Sequence, residues 1–133
     1  MRDIAGEAEQ VILKLQKNKF GEIALTTSQI RRFLTAVNSV TNKVSYYKMK
    51  NFGQDKLSDE LAAEVKYLKV KLAYQVGREK KNNKTGPIED FSKNAHLIEE
   101  IDSIGNSIAR YEEFAKYFEA LVAYHKFYGG KDK

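Results

Sequence analysis

From Leu61 to Val76 the apolar residues Leu61, Val65, Leu68, Leu72 and Val76 step by four, three, four and four. That spacing gives a helix one apolar face, whereas a strand would need alternation every second residue. A second series runs through the same stretch. Tyr67, Lys71, Tyr74, Arg78 and Lys81 step by four, three, four and three. At about 100° per residue, this series lies roughly 120–180° around the helix from the first. Between Lys66 and Lys84 there are seven Lys/Arg and one acid, Glu79. Such a helix can be anchored to a core on one side and meet a polyanion on the other. Cations contact phosphates, and tyrosine stacks on a base or sugar. The same pattern also suits a plain solvated face.

Four further helices are predicted from similar spacings. The first runs from about Asp3 to Lys17, with Ile4, Ala8, Val11, Ile12 and Leu15 on one face. A break at Gly21 follows, and the hydroxyls of Thr26, Thr27 and Ser28 can cap the next helix. That helix reaches about Lys50 through Ile30, Phe33, Leu34, Val37, Val40, Val44 and Tyr47. Ser58 is the expected N-cap of the basic helix, with Asp59 and Glu60 opposing the positive end of its dipole. Residues 82–87 read as a turn-rich connector. A fourth helix is expected over Ile88 to Ile104, with Phe91, Ala95, Ile98, Ile101 and Ile104 inward. A fifth is expected over Ser107 to Tyr128, with Ile108, Tyr111, Phe114, Phe118, Leu121, Val122 and Phe127 inward. It ends at Gly129-Gly130. One proline in 133 residues leaves few interruptions. The expected fold is all-α: one domain over residues 1–133, an antiparallel bundle of about five helices.

The net charge of +5 makes an acidic partner plausible. Its distribution is uneven. Residues 43–84 hold eleven Lys/Arg against five acids, whereas residues 85–113 hold seven acids against Lys93 and Arg110. One surface could face a polyanion and another a basic neighbour; alternation for solubility produces the same pattern. The absence of cysteine excludes disulfides, Cys-ligated zinc and thiol catalysis. The opening MRDIAGEAEQ does not read as a signal peptide, and no apolar run approaches the roughly 20 residues of a membrane span. A cytoplasmic protein without membrane contact is expected.

Little in the chain suggests catalysis. His96 precedes Glu99 and Glu100, so one face could offer a metal two ligands, but a bundle metal site needs further inward carboxylates. His125, in AYHKFYGG, lacks an accompanying Ser or Asp motif and reads as a surface or interface residue. No Gly-rich phosphate loop is present. No enzyme activity, cofactor or metal is expected. Most of the eight tyrosines could ring a bundle with rings packed and hydroxyls wet.

Three segments carry a resemblance: LTTSQIRRFLTAVNSV (25–40), EVKYLKVKLAYQVGRE (64–79) and KYFEALVAYHKFYGG (116–130). In order and spacing they resemble the small subunit of the type III-A CRISPR effector, the Csm interference complex. The patterns TTSxIR, YLKxKxxYxxGRE and YFEALVAYxKF cover about a third of the chain, while the first helix and residues 81–100 show no matching motif. The resemblance implies a helical bundle stacked in several copies along a ribonucleoprotein. Its neighbours would be backbone subunits of the RNA-recognition-motif type, with a large polymerase-like subunit at one end. It also implies a non-nuclease that lines the guide RNA–target RNA channel, steadies the duplex and helps sense complementarity. On matching positions, Arg31, Lys69, Lys71, Arg78 and Lys80 are the RNA-binding candidates. Lys48 and Lys81 join them on charge placement alone. Arg78 stands first, because guanidinium can grip phosphate with two parallel hydrogen bonds; a salt bridge to a neighbouring subunit is its alternative. Tyr117, Tyr124 and His125 are candidates for a subunit interface. Two rivals remain open at this point: a free-standing nucleic-acid-binding bundle, and a helical adaptor without a nucleic-acid role.

Overall fold

A computed structural model describes residues 2–80 and 84–129. Among these residues the chain forms six helices: α1 (Ile4–Leu13), α2 (Thr27–Lys50), α3 (Asp59–Glu79), α4 (Pro87–Ala95), α5 (Leu97–Ile104) and α6 (Ile108–Phe127). The starts follow the sequence chemistry. Thr26 caps α2 through a capping box: its hydroxyl accepts from the Gln29 amide while the Gln29 side chain accepts from the Thr26 amide. The Ser58 hydroxyl accepts from the Leu61 amide at the start of α3, and Ser107 does the same for Arg110 at the start of α6.

The start of α4 is built differently. Gly86 offers no capping side chain, and the carboxylate of Glu79, from the end of α3, accepts from the amides of Ile88 and Glu89, both at 2.9 Å. A Cβ at residue 86 would overlap that carboxylate, so a larger residue there would have to push Glu79 off the two amides. The only acid of the basic stretch is thus spent on holding α4 against α3. Gln16, beyond the end of α1, secures the same corner through the Thr85 carbonyl and the Asp90 carboxylate.

The buried apolar residues form one cluster drawn from all six helices. At its centre α2 and α6 run antiparallel. Tyr111 donates to the Val37 carbonyl at 3.0 Å, Phe33 meets Phe118 edge-on at 5.2 Å, and His125 donates from Nε2 to the Leu25 carbonyl at 2.7 Å. On its other flank α2 meets α3, also antiparallel, with Lys43 beside Glu64 and Gln75 donating to the Gln29 carbonyl. The inward face of α3 is the predicted one, as Leu61, Val65, Leu68 and Leu72 are buried. α1 departs from the antiparallel pattern. Arg2 reaches Glu113 and Tyr117, while Glu9 reaches Tyr128, so α1 lies alongside α6 in the same direction.

Several sequence expectations need correction. The first helix stops at Leu13, although Leu15 remains buried beyond it. The following turn is stabilised by Asn18, whose side chain accepts from the amides of Phe20 and Glu22. The predicted fourth helix is two helices. His96 breaks it with φ 54°, a left-handed conformation that an L-residue rarely adopts. The Ala95 carbonyl at this kink accepts from the Tyr117 hydroxyl at 3.0 Å. The break resets the helical phase, so Leu97 is buried in place of the expected Ile98, which is exposed. In α6, Phe127 is 77% exposed instead of buried.

Three outcomes are expected. Replacing Leu72, 1% exposed, by Asp strands a charge in the core and costs several kcal/mol, on the order of the whole stability. A soluble, helical Leu72→Asp protein in circular dichroism would contradict the core described. His96→Gly should stabilise the chain by up to about 1 kcal/mol in denaturant unfolding, since glycine adopts positive φ without the steric penalty. Alkali should weaken the fold. Burial raises Tyr111 and Tyr117 from 10.0 to about 12. Both hold their protons in the fold while the unfolded chain releases them. Their contribution is therefore complete below pH 10 and falls away towards pH 12. A denaturation midpoint that holds constant across that window would oppose this.

Candidate nucleic-acid interface

The basic stripe of α3 does not stand alone. The antiparallel register of α2 and α3 brings Arg32 beside it. Arg32, Tyr67, Val70, Lys71, Tyr74 and Arg78 border a groove of about 420 Å³ between the two helices, with the buried Phe33 also lining it. A second hollow of about 380 Å³ shares Arg32, Gln75 and Arg78 and continues past Gln29 and Glu79 to the start of α4. Gln75 bridges the helices by donating to the Gln29 carbonyl at 3.2 Å. The Arg78 guanidinium lies over the Tyr74 ring at 5.8 Å, a cation–π contact that holds both side chains near the groove.

The sequence-predicted cations divide into two groups. Lys69 and Lys48 are engaged within the molecule, with Asp102 of α5 and Glu112 of α6 respectively. Lys43 is likewise paired with Glu64. In contrast, Arg31, Arg32, Lys66, Lys71, Arg78 and Lys80 are exposed and form no ion pair with a described residue. Among the site candidates, Lys71 and Arg78 share the groove, Arg31 lies outside it, and Lys80 follows the end of α3. Lys81 lies outside the described residues. Arg32 is the residue that sequence reasoning missed. No local spacing distinguishes it from Arg31; only the register between α2 and α3 selects it.

The three interface candidates of the last helix also separate. Tyr117 is 2% and His125 1% exposed, and each makes a buried hydrogen bond to a backbone carbonyl. These two serve the interior, which corrects the surface reading of His125. Tyr124 is half-buried and stacks with Tyr128 at 6.3 Å. His96 is exposed and faces Glu99 at 3.8 Å, while Glu100 is turned away to Arg2. Arg2 is held by Glu7, Glu100 and Glu113. Partial burial works against its charge, but the hydrogen bonds it donates to Glu100, Glu7 and Glu113 raise its pKa above the ordinary value. No described helix is long and apolar enough to cross a membrane.

The Csm2 Type III-A family model matches residues 1–131. The chain belongs to the Csm2 family. It is 36% identical over 126 residues to a CRISPR system Cms protein Csm2 of Streptococcus thermophilus, covering 95% of this chain and 91% of the relative. The protein of the same name from Mycobacterium tuberculosis strain H37Rv is 34% identical over 131 residues, with 98% and 95% covered. That from Enterococcus italicus is 37% identical over 106 residues, with 78% and 68% covered. The match to the Csm2 family thus extends through the first helix and the 81–100 region, where no motif was legible. Membership makes the chain the small subunit of a type III-A CRISPR complex.

The two groups of cations can be separated experimentally. Asp102→Asn should release Lys69 and alter unfolding stability by less than about 1 kcal/mol, because neither partner is buried from solvent. A larger loss in denaturant titration would make that pair a structural element and not a solvated contact.

Proposed function

We propose that this chain, acting as one domain over residues 1–133, is a non-catalytic structural subunit that lines the guide RNA–target RNA duplex with its α2–α3 face. The observation that carries this reading is the concentration of unneutralised cations along the groove. Arg32, Lys71 and Arg78 gather there without a described acidic partner, while Lys48 and Lys69 are paired with acids of α6 and α5, and Lys43, further along the α2–α3 junction, is paired with Glu64. A duplex presents phosphates and sugars along its length, so cations and polar groups meet it without reading sequence. Guanidinium suits this task through its planar, forked donors.

The partners in this reading are the guide and target RNAs, backbone subunits of the RNA-recognition-motif type, a large polymerase-like subunit, and further copies of the chain in a cytoplasmic particle. The relatives' shared name, CRISPR system Cms protein Csm2, supports membership of such a particle. The non-catalytic reading is supported by the histidines. His125 is committed to the Leu25 carbonyl, and His96 forms an exposed helix break. Weak individual contacts suffice in a repeated subunit, because tethered copies gain by effective concentration.

Arg78→Glu and Arg32→Glu, introduced into the reconstituted complex, test the proposal. The isolated variants should keep the helical circular dichroism and thermal midpoint of the parent, since both side chains are exposed. Target RNA binding by the complex should weaken, and each lost phosphate contact should reduce the salt slope by about 1. Unchanged target binding and cleavage in the double variant would oppose an RNA-facing groove.

A further inference from the structure

Cations explain only part of the α2–α3 groove. Its α3 wall also exposes apolar surface: Tyr67 is 56%, Val70 50% and Tyr74 66% exposed. These three sit at the i, i+3 and i+7 positions of one helix, so they form a continuous strip. The core already uses the opposite face of α3, through Val65, Leu68 and Leu72. Neither the Tyr67 nor the Tyr74 hydroxyl bonds a described residue. The surface these residues leave exposed is therefore used neither by the core nor by internal hydrogen bonds. A regular duplex makes poor use of such a strip, because its bases are stacked inside and it offers only backbone and groove edges. An unpaired base offers a π face, and aromatic side chains flanked by cations are the usual means of holding one.

We infer that the α2–α3 groove takes an unpaired RNA base, stacked on Tyr67 or Tyr74, with the adjoining phosphates met by Arg32 and Lys71. This rests on the RNA-facing reading above and extends it from the backbone to a splayed nucleotide. At about 420 Å³ the groove lies within the usual range of small-ligand sites, about 300–1,000 Å³, which suits a nucleotide. The Arg78 guanidinium over Tyr74 steadies the ring that receives the base. Phe33, 3% exposed and packed edge-on against Phe118, underlies the groove as part of the core. Stacking tolerates any base, so the groove would recognise that a nucleotide is unpaired without reading which one it is.

The test uses the full chain at low salt with a short single-stranded RNA carrying 2-aminopurine, and with the same strand annealed to its complement. The single strand should bind more tightly than the duplex, with quenching of the 2-aminopurine fluorescence. Tyr67→Ala and Tyr74→Ala should weaken single-strand binding, the principal platform by about 5- to 150-fold. Their duplex binding and salt slope should stay nearly unchanged. Tyr74→Phe, which keeps the ring, should bind like the parent. Equal binding of both RNAs, unaffected by either alanine variant, would overturn the stacked base while leaving the backbone reading intact. If neither RNA binds the chain, the stacked base is also overturned, and the Arg78 reversal in the complex decides the backbone reading separately. If the alanine variants instead lose a co-purifying protein with single-strand binding unchanged, the strip is a protein-docking surface and the inference fails.

Discussion

The candidate surface depends first on the contact between α2 and α6. Three links spaced along the pair set their register: Tyr111 to the Val37 carbonyl, Phe33 against Phe118, and His125 to the Leu25 carbonyl. Two of the links are buried hydrogen bonds, whose geometry fixes position more narrowly than apolar contact does. The Leu25 bond lies one residue before the cap of α2, so α6 also determines where α2 begins. With one flank of α2 occupied by α6, the other is left for α3. The cations of Arg32 on α2 and of Lys71 and Arg78 on α3 then converge. The candidate surface is thus a consequence of helix register, not of any one basic motif.

Charge placement follows a consistent division. On α3, Lys69 turns towards α5 and meets Asp102, whereas Lys71, two residues on, faces the groove without a described partner. Two residues on a helix are separated by about 200°, enough to assign adjacent lysines to different tasks. The acidic segment after residue 85 serves partly as the internal complement of the basic one. Asp102, Glu112 and Glu113 partner Lys69, Lys48 and Arg2. Glu79 is removed from the groove by its role as the cap of α4. The net result is a groove bordered by Arg32, Lys71 and Arg78 without a described acidic partner, while Lys48, Lys69 and Arg2 elsewhere are paired.

The strongly periodic elements were legible in the sequence. The span and inward face of α3, the cap and length of α2, and most of α6 followed from three-and-four spacing with polar caps. Lys71, Tyr74 and Arg78 were likewise placed together correctly, because one helix determines their alignment. What was hidden depended on partners distant in sequence. The split at His96 depends in part on Tyr117, whose hydroxyl serves the carbonyl at the break; no glycine or proline announces it. The burial of His125 depends on a carbonyl one hundred positions away. Arg32 required the register of α2 against α3, and the pairing of Lys48 and Lys69 required knowing which helices lie beside them. The family resemblance rested on three segments, yet the family match spans residues 1–131.

The most direct test of the account is a map of RNA-to-protein crosslinks in the native complex. A tagged chain would be recovered from its own host with its RNA and companion subunits, irradiated, and digested for mass spectrometry. Adducts are expected on peptides carrying Arg32 and residues 66–80, on the two walls of one groove. Adducts confined to the α2–α6 side, around Asn38, Ser45, Glu112 and Lys116, would contradict it, because that surface lies on the opposite flank of α2.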